Sequence, residues 1–211
     1  MTRSSPFYIL SRMISIWRYT ALFAALILFG CSEERASQQS EGKRFPVDPS
    51  LLGPSHADAG LRLRFQPPVQ FQTADSAFVA RYGQDIRRAT RNDPYEVLPA
   101  MIFSIPETNA RCFVSTFFNS PEARFDEAWR AGYLEAARAR ARTNEFESEM
   151  VDQGDLEILA VRVQGAGLVN RRFLFETPQG RLVQIDYLLP DELAPTLAAG
   201  VESSIGALSF Y

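Results

Sequence analysis

The sequence predicts an α+β fold, an antiparallel sheet with packed helices, and three observations carry that expectation. Strand-like runs near 145–151, 156–164, 168–176 and 181–189 are separated only by short turn clusters. Connections of that length cannot hold a crossover helix, so neighbouring strands must be antiparallel. Two other segments, around 121–142 and 193–208, repeat their apolar residues at helical spacing, and strands and helices grouped in blocks give a sheet with helices packed on it.

The elements follow in chain order. Leu61, Leu63 and Phe65 alternate with Arg62 and Arg64, the period of a half-buried strand, and Pro67-Pro68 ends it. Phe78, Tyr82, Ile86 and Ala89 recur at helical spacing, with Asp75 or Ser76 as the candidate cap and Asn92-Asp93-Pro94 as the break. Met101 to Ile105 and Cys112 to Phe118 flank a turn cluster and read as two strands. In the next helix Ser120 can cap and Pro121 suits the first position. Phe125, Trp129, Tyr133 and Ala137 share one of its faces, and Arg138, Arg140 and Arg142 complement the dipole at its end. Four strands follow, split by Asp152-Gln153-Gly154-Asp155, Gly165-Ala166-Gly167 and Thr177-Pro178-Gln179-Gly180. A last helix carries Leu193, Leu197, Val201, Ile205 and Leu208 on one stripe.

Two short stretches carry a resemblance. Phe65-Gln66-Pro67-Pro68 is similar to a Phe-x-x-Pro-Pro-like strand end, and residues 202–210 to a final Glu-x-Ser-Ile-x-x-Leu/Phe-like helix. In that order the domain resembles the PsbP-like α/β sandwich. The resemblance implies a fold used mostly for binding and assembly, and it names no ligand.

The N-terminus reads as an address. Arg3, Arg12 and Arg18 precede an apolar run from Ala21 to Phe29, and polar Ser32-Glu33-Glu34-Arg35 closes it off. The run is far shorter than the roughly 20 residues of a spanning helix, so a signal peptide is expected over residues 1–30, starting at Met1 or Met13. Leu28-Phe29-Gly30-Cys31 resembles the bacterial lipobox. That resemblance implies cleavage between Gly30 and Cys31, diacylglycerol on the Cys31 sulfur and acylation of the new amine. Such a covalent lipid would hold the protein on a membrane, since stable anchoring needs more than one acyl chain. Ser32 in place of aspartate favours the outer membrane, facing the periplasm. Residues 31–60, rich in Ser, Gln, Glu, Gly and Pro, read as a lipidated cysteine and flexible tether that contains His56. Residues 61–211 read as the globular domain.

Composition narrows the function. The 211 residues are 46% hydrophobic and 22% charged, enough for one folded domain with a core. Removing residues 1–30 leaves 19 of the 22 basic residues against 25 acidic ones, a net charge of −6. That balance argues against nucleic acid as a partner, because phosphate affinity needs net cationic contact. His56 is the only histidine, which disfavours a Ser-His-Asp or Cys-His catalytic set. With Cys31 acylated, Cys112 alone cannot build a zinc site and reads as a small buried hydrophobe. Glu145, Glu147 and Glu149 alternate along one strand face and read as a solvated sheet face; Asp152, Asp155 and Glu157 surround a turn and read as a plain hairpin turn rather than calcium ligands.

No catalytic residue, metal or further cofactor is expected. The chain reads as a noncatalytic envelope lipoprotein, a binding or assembly module with an envelope protein partner. The alternative is a carrier or sensor of an apolar ligand, with Phe125, Trp129 and Tyr133 as ligand-facing candidates.

Overall fold

The computed structural model describes residues 43–89, 94–119 and 122–211, which lie within the compact unit Gly42–Tyr211. Gly30, Cys31 and Ser32 lie outside the described residues, as do Ser120 and Pro121.

Among the described residues, ten strands and three α-helices follow in the order β1 (His56–Asp58), β2 (Leu63–Phe65), β3 (Gln72–Thr73), α1 (Ser76–Ala89), β4 (Val97–Ser104), β5 (Arg111–Phe117), α2 (Glu127–Ala141), β6 (Glu145–Gln153), β7 (Leu156–Gly165), β8 (Leu168–Glu176), β9 (Leu182–Pro190), α3 (Ala194–Gly206) and β10 (Ser209–Phe210). Seven strands form one sheet in the order β3-β4-β5-β9-β8-β7-β6, and β1, β2 and β10 form a second. Every pairing is antiparallel, and from β6 to β9 the short connections required it. The β7–β8 loop shows why so few residues suffice. Ala166 and Gly167 both take positive φ, +54° and +77°, the backbone of a two-residue type I′ turn whose twist matches the strands it joins.

The large sheet is buried on both sides. Phe103, Cys112, Val114, Phe173, Ile185 and Tyr187 face α3 and the small sheet, together with Leu197, Val201 and Ile205 of the helix stripe. Phe117, Leu159, Val161, Leu174 and Leu182 face α2 through Tyr133 and Ala137. Helix α1 lies over β4 and β5 on this same side, with Tyr82 stacked on Phe113 at 5.3 Å.

The two stretches that resemble the sandwich family meet in space. Tyr187 donates its hydroxyl to Ser204 Oγ at 2.7 Å, and Ser204 passes a bond to the Gln66 carbonyl at 2.6 Å. Gly200 lies so close to Pro68 that an added Cβ would sit 3.1 Å from the ring. Strand β10, absent from the sequence reading, pairs Ser209 with Arg64 and Phe210 with Leu63. A strand of two residues has no periodicity to detect; it forms because α3 delivers the chain beside β2.

Two expectations need correcting. The tether does not extend to residue 60. Phe45 is buried edge-on against Phe173 at 5.5 Å, and its backbone is held from both ends by the Gln153 amide. His56 opens β1 and packs on Phe103 at 4.9 Å. Polar composition hid this segment because a few apolar residues, Phe45 above all, provide its docking. The second correction concerns the start of α2, which is capped not near Ser120 but by Asp126, whose side chain accepts the Trp129 N–H at 2.8 Å. Ahead of it Phe125 N–H donates to Glu176 Oε2 and Arg124 to the Gly180 carbonyl. These tertiary bonds hold the preceding segment out of the helix. Asp75 does act as expected at α1, accepting the Phe78 N–H at 2.7 Å.

Candidate functional site

Three adjacent strands supply the floor of a cleft. On the α2-facing side of the sheet, Phe113 of β5, Asp186 of β9 and Arg172 of β8 form one cross-strand row. Ser115 and Gln184 lie in the next row, and Leu188 and Asn170 in the row on the other side of the ion pair. Tyr82 and Ile86 of α1 form one wall, Tyr133 and Arg140 of α2 the other. The cleft is open on one side and its volume is about 500 Å³, within the range of small-molecule sites.

The floor is polar where a core would be apolar. Arg172 Nε lies 2.8 Å from Asp186 Oδ1, an ion pair without the alignment of a hydrogen bond. Gln184 donates to Asp186 Oδ2 at 2.5 Å, and Tyr133 donates to Gln184 Oε1 at 2.9 Å. Arg172 also reaches the Tyr133 hydroxyl at 3.4 Å. Burial pushes the Tyr133 phenol up to about 12, the nearby guanidinium opposing that shift. Burial disfavours the Arg172 charge, but the Asp186 carboxylate and Tyr133 outweigh it and raise its proton affinity.

Among the described residues, the buried side-chain nitrogen and oxygen atoms that lack a hydrogen-bond partner are Ser115 Oγ, Asn170 Oδ1, Arg172 Nε and Asp186 Oδ1. All four belong to residues that line this cleft. The last two have each other as ion-pair partners, which leaves Ser115 and Asn170. An orphaned buried polar group costs about 1–3 kcal/mol, so two in one cleft call for an explanation.

The sequence candidates divide. Tyr133 lines the cleft, whereas Phe125 and Trp129 pack with Phe117 in the core beside it, Trp129 edge-on to Phe117 at 5.1 Å. Of the arginines closing α2, Arg138 covers the Phe146 ring at 4.9 Å, and Arg142 caps the helix at φ +55°. Arg140 instead turns into the cleft. Glu147 and Glu149 pair with Arg162 and Lys43 on the solvated side of β6. Among the described residues no group of three or more His, Cys, Asp or Glu side chains is placed to hold a metal ion.

Arg172, Gln184, Asp186, Ser115 and Asn170 went unnoticed in the sequence. A signal did exist for two of them: Gln184 and Asp186 interrupt an apolar strand, Leu182-Val183-Gln184-Ile185-Asp186-Tyr187-Leu188-Leu189. Polar residues in so apolar a run are buried and require partners.

No family model matches the chain, and no curated protein matches it. Among solved structures it is similar to the solution structure of cyanobacterial PsbP (CyanoP) from Synechocystis sp. PCC 6803. The identity is 13%, the alignment covers 82% of this chain and 99% of that one, and the TM-score is 0.45. A likeness at this level carries nothing about ligand or partner. The α+β class rests on the strand order and pairing of this chain itself.

Proposed function

We propose that this chain is a noncatalytic binding module of the bacterial envelope, anchored by lipid on Cys31, with its ligand seated in the cleft between α1 and α2. The observation that carries the binding reading is the gathering of the partnerless buried polar atoms in one cleft of ligand size. The noncatalytic reading is supported by Asp186, the cleft carboxylate on the sheet floor. Arg172 pairs with one of its oxygens and Gln184 donates to the other, which disfavours it as a base or a nucleophile. A purely apolar cargo suits the cleft less well, because it would leave Ser115 and Asn170 unsatisfied.

The anchor rests on the lipobox-like Leu28-Phe29-Gly30-Cys31. Residues 43–60 pack into the domain, so any tether lies ahead of Lys43. The outer membrane is the proposed address, with the cleft facing the periplasm.

Native mass spectrometry on protein gently extracted from its own membranes tests both parts. Residues 31–211 plus acyl chains, carrying a small molecule, is the expected result. An unacylated chain retaining residues 1–30 overturns the anchor. A second protein bound in place of any small molecule moves the function from ligand binding to assembly.

A further inference from the structure

We infer that the cleft takes an uncharged, hydroxyl-bearing ligand long enough to reach from Ser115 to Asn170. This rests on the binding reading above and adds the chemical class of the ligand.

Charge gives the first argument. The cleft is lined by two cations, Arg140 and Arg172, and two anions, Glu96 and Asp186, so its formal charge is zero. Arg172 and Asp186 already satisfy each other at 2.8 Å. A charged ligand would add a net charge to a neutral cleft or would have to part that pair, and either course leaves a poorly solvated charge.

The unsatisfied groups give the second. Ser115 Oγ and Asn170 Oδ1 are neutral. A carboxylate or phosphate brings only acceptors and would face Asn170 Oδ1 with like polarity. Both atoms are closed to water in the unliganded cleft, so the side chains over them must shift for a ligand to reach them; a hydroxyl, which both donates and accepts, then meets the Asn170 carbonyl oxygen and the Ser115 hydroxyl alike.

Spacing gives the third. Ser115 is opposite Gln184 and Asn170 is opposite Leu188, four residues apart along β9. Ser115 belongs to β5 and Asn170 to β8, on either side of β9. With standard rise and strand separation the two sites lie roughly 16 Å apart on a diagonal. One small hydroxylated fragment cannot reach both, whereas a chain of linked rings can. The ion pair lies between them, a fixed polar floor under the ligand's middle.

The groove on the opposite side of the sheet, bordered by α3 and β6–β8, offers no such seat. Lys43, Arg162 and Arg171 are matched there by Glu149, Glu147 and Glu202, and among the described residues none of its buried side-chain polar atoms lacks a partner.

The test uses three β-1,4-linked, gluco-configured trisaccharides of different charge: triacetylchitotriose (neutral), tri-β-1,4-glucuronate (anionic) and deacetylated chitotriose (cationic). Each is titrated to about 10 mM into the full mature chain, followed by amide chemical shifts. The neutral sugar is expected to perturb residues around Ser115, Asn170 and Arg172 and to bind at least tenfold tighter than the charged pair. Ser115→Ala and Asn170→Ala should each weaken it about fivefold, the worth of one hydrogen bond. Equal or tighter binding of a charged sugar in the cleft overturns the neutral class while leaving the binding reading in place. Silence of the cleft to all three overturns the ligand class. Whether a small molecule then co-purifies in the native mass spectrum decides the fate of the binding reading separately.

Discussion

Arg172 of β8 and Asp186 of β9 are direct cross-strand partners, and their side chains meet at 2.8 Å beneath the α1–α2 cleft. The pair is costly to desolvate and more costly to break. Asp186→Asn would leave the guanidinium beside Tyr133 with no carboxylate, a loss of about 3–5 kcal/mol. Replacing both, Arg172→Met with Asp186→Leu, should recover most of that stability, because the buried charge leaves with its partner. Urea unfolding measures both. If Asp186→Asn unfolds at the wild-type midpoint, the pair contributes nothing to the fold.

Phe45 tests where the domain begins. Its ring is buried against Phe173, and its carbonyl lies 2.8 Å from where a Cβ on Gly206 would sit. Phe45→Ala should cost about 3 kcal/mol. A chain starting at Leu61 should lose cooperative unfolding, since β1 and its pairing with β2 go as well. A cooperative transition in that shortened chain would restore the longer tether.

The Tyr133 phenol predicts an alkaline weakness with a definite sign. Its affinity for the proton is raised from the ordinary 10.0 to about 12 by burial. Between those values the unfolded chain releases the proton and the folded chain keeps it, so stability is complete below about pH 10 and falls toward pH 12. This single group accounts for a loss of about 2–3 kcal/mol across that window. Tyr133→Phe should flatten the slope by one proton, read from urea midpoints at successive pH values. Part of the slope should persist through Tyr187, whose phenol burial also raises well above its ordinary value.

Cys112 should be silent. It is fully buried between Phe103 and Tyr187 in register, and burial pushes its thiol well above the usual range. A thiol reagent at pH 8 should label it only as fast as the protein unfolds, because both access and thiolate are missing. Rapid labelling of the folded chain would place the side chain at the surface.

The aromatic stripe of α2 separates packing from binding. Trp129 touches Phe117, Phe125 and Tyr95 and stacks on Tyr133. Trp129→Ala should therefore destabilise by about 3 kcal/mol. Tyr133→Phe keeps the ring and removes the hydroxyl that joins Gln184 to Arg172, so it should cost about 1 kcal/mol and change ligand affinity more than stability. Calorimetry on both variants separates the two effects.

Much of this architecture was written along the chain. The strands 145–176 and the stripes of α2 and α3 follow from local periodicity, which backbone geometry imposes on any sequence that buries one face. Asp75 could be read as a cap because its partner lies three residues away. The segment at residues 43–60 could not be read so, because its docking depends on Gln153 and Phe173, more than one hundred residues distant. Asp126 replaced Ser120 as a cap for the same reason: Glu176 holds the preceding backbone.

The sequence by itself determined the class of fold and the antiparallel pairing of strands joined by short turns, since each depends on spacing within a few residues. Only the tertiary structure decided where the cleft lies and what lines it. Arg172, Asp186, Gln184, Ser115, Asn170 and Tyr133 come from four elements, and their shared side exists only once β5, β9 and β8 are in register and α2 has packed across them. Local spacing records which face a side chain takes; it holds no record of which distant faces will be brought together, because that is settled by the packing of the whole core.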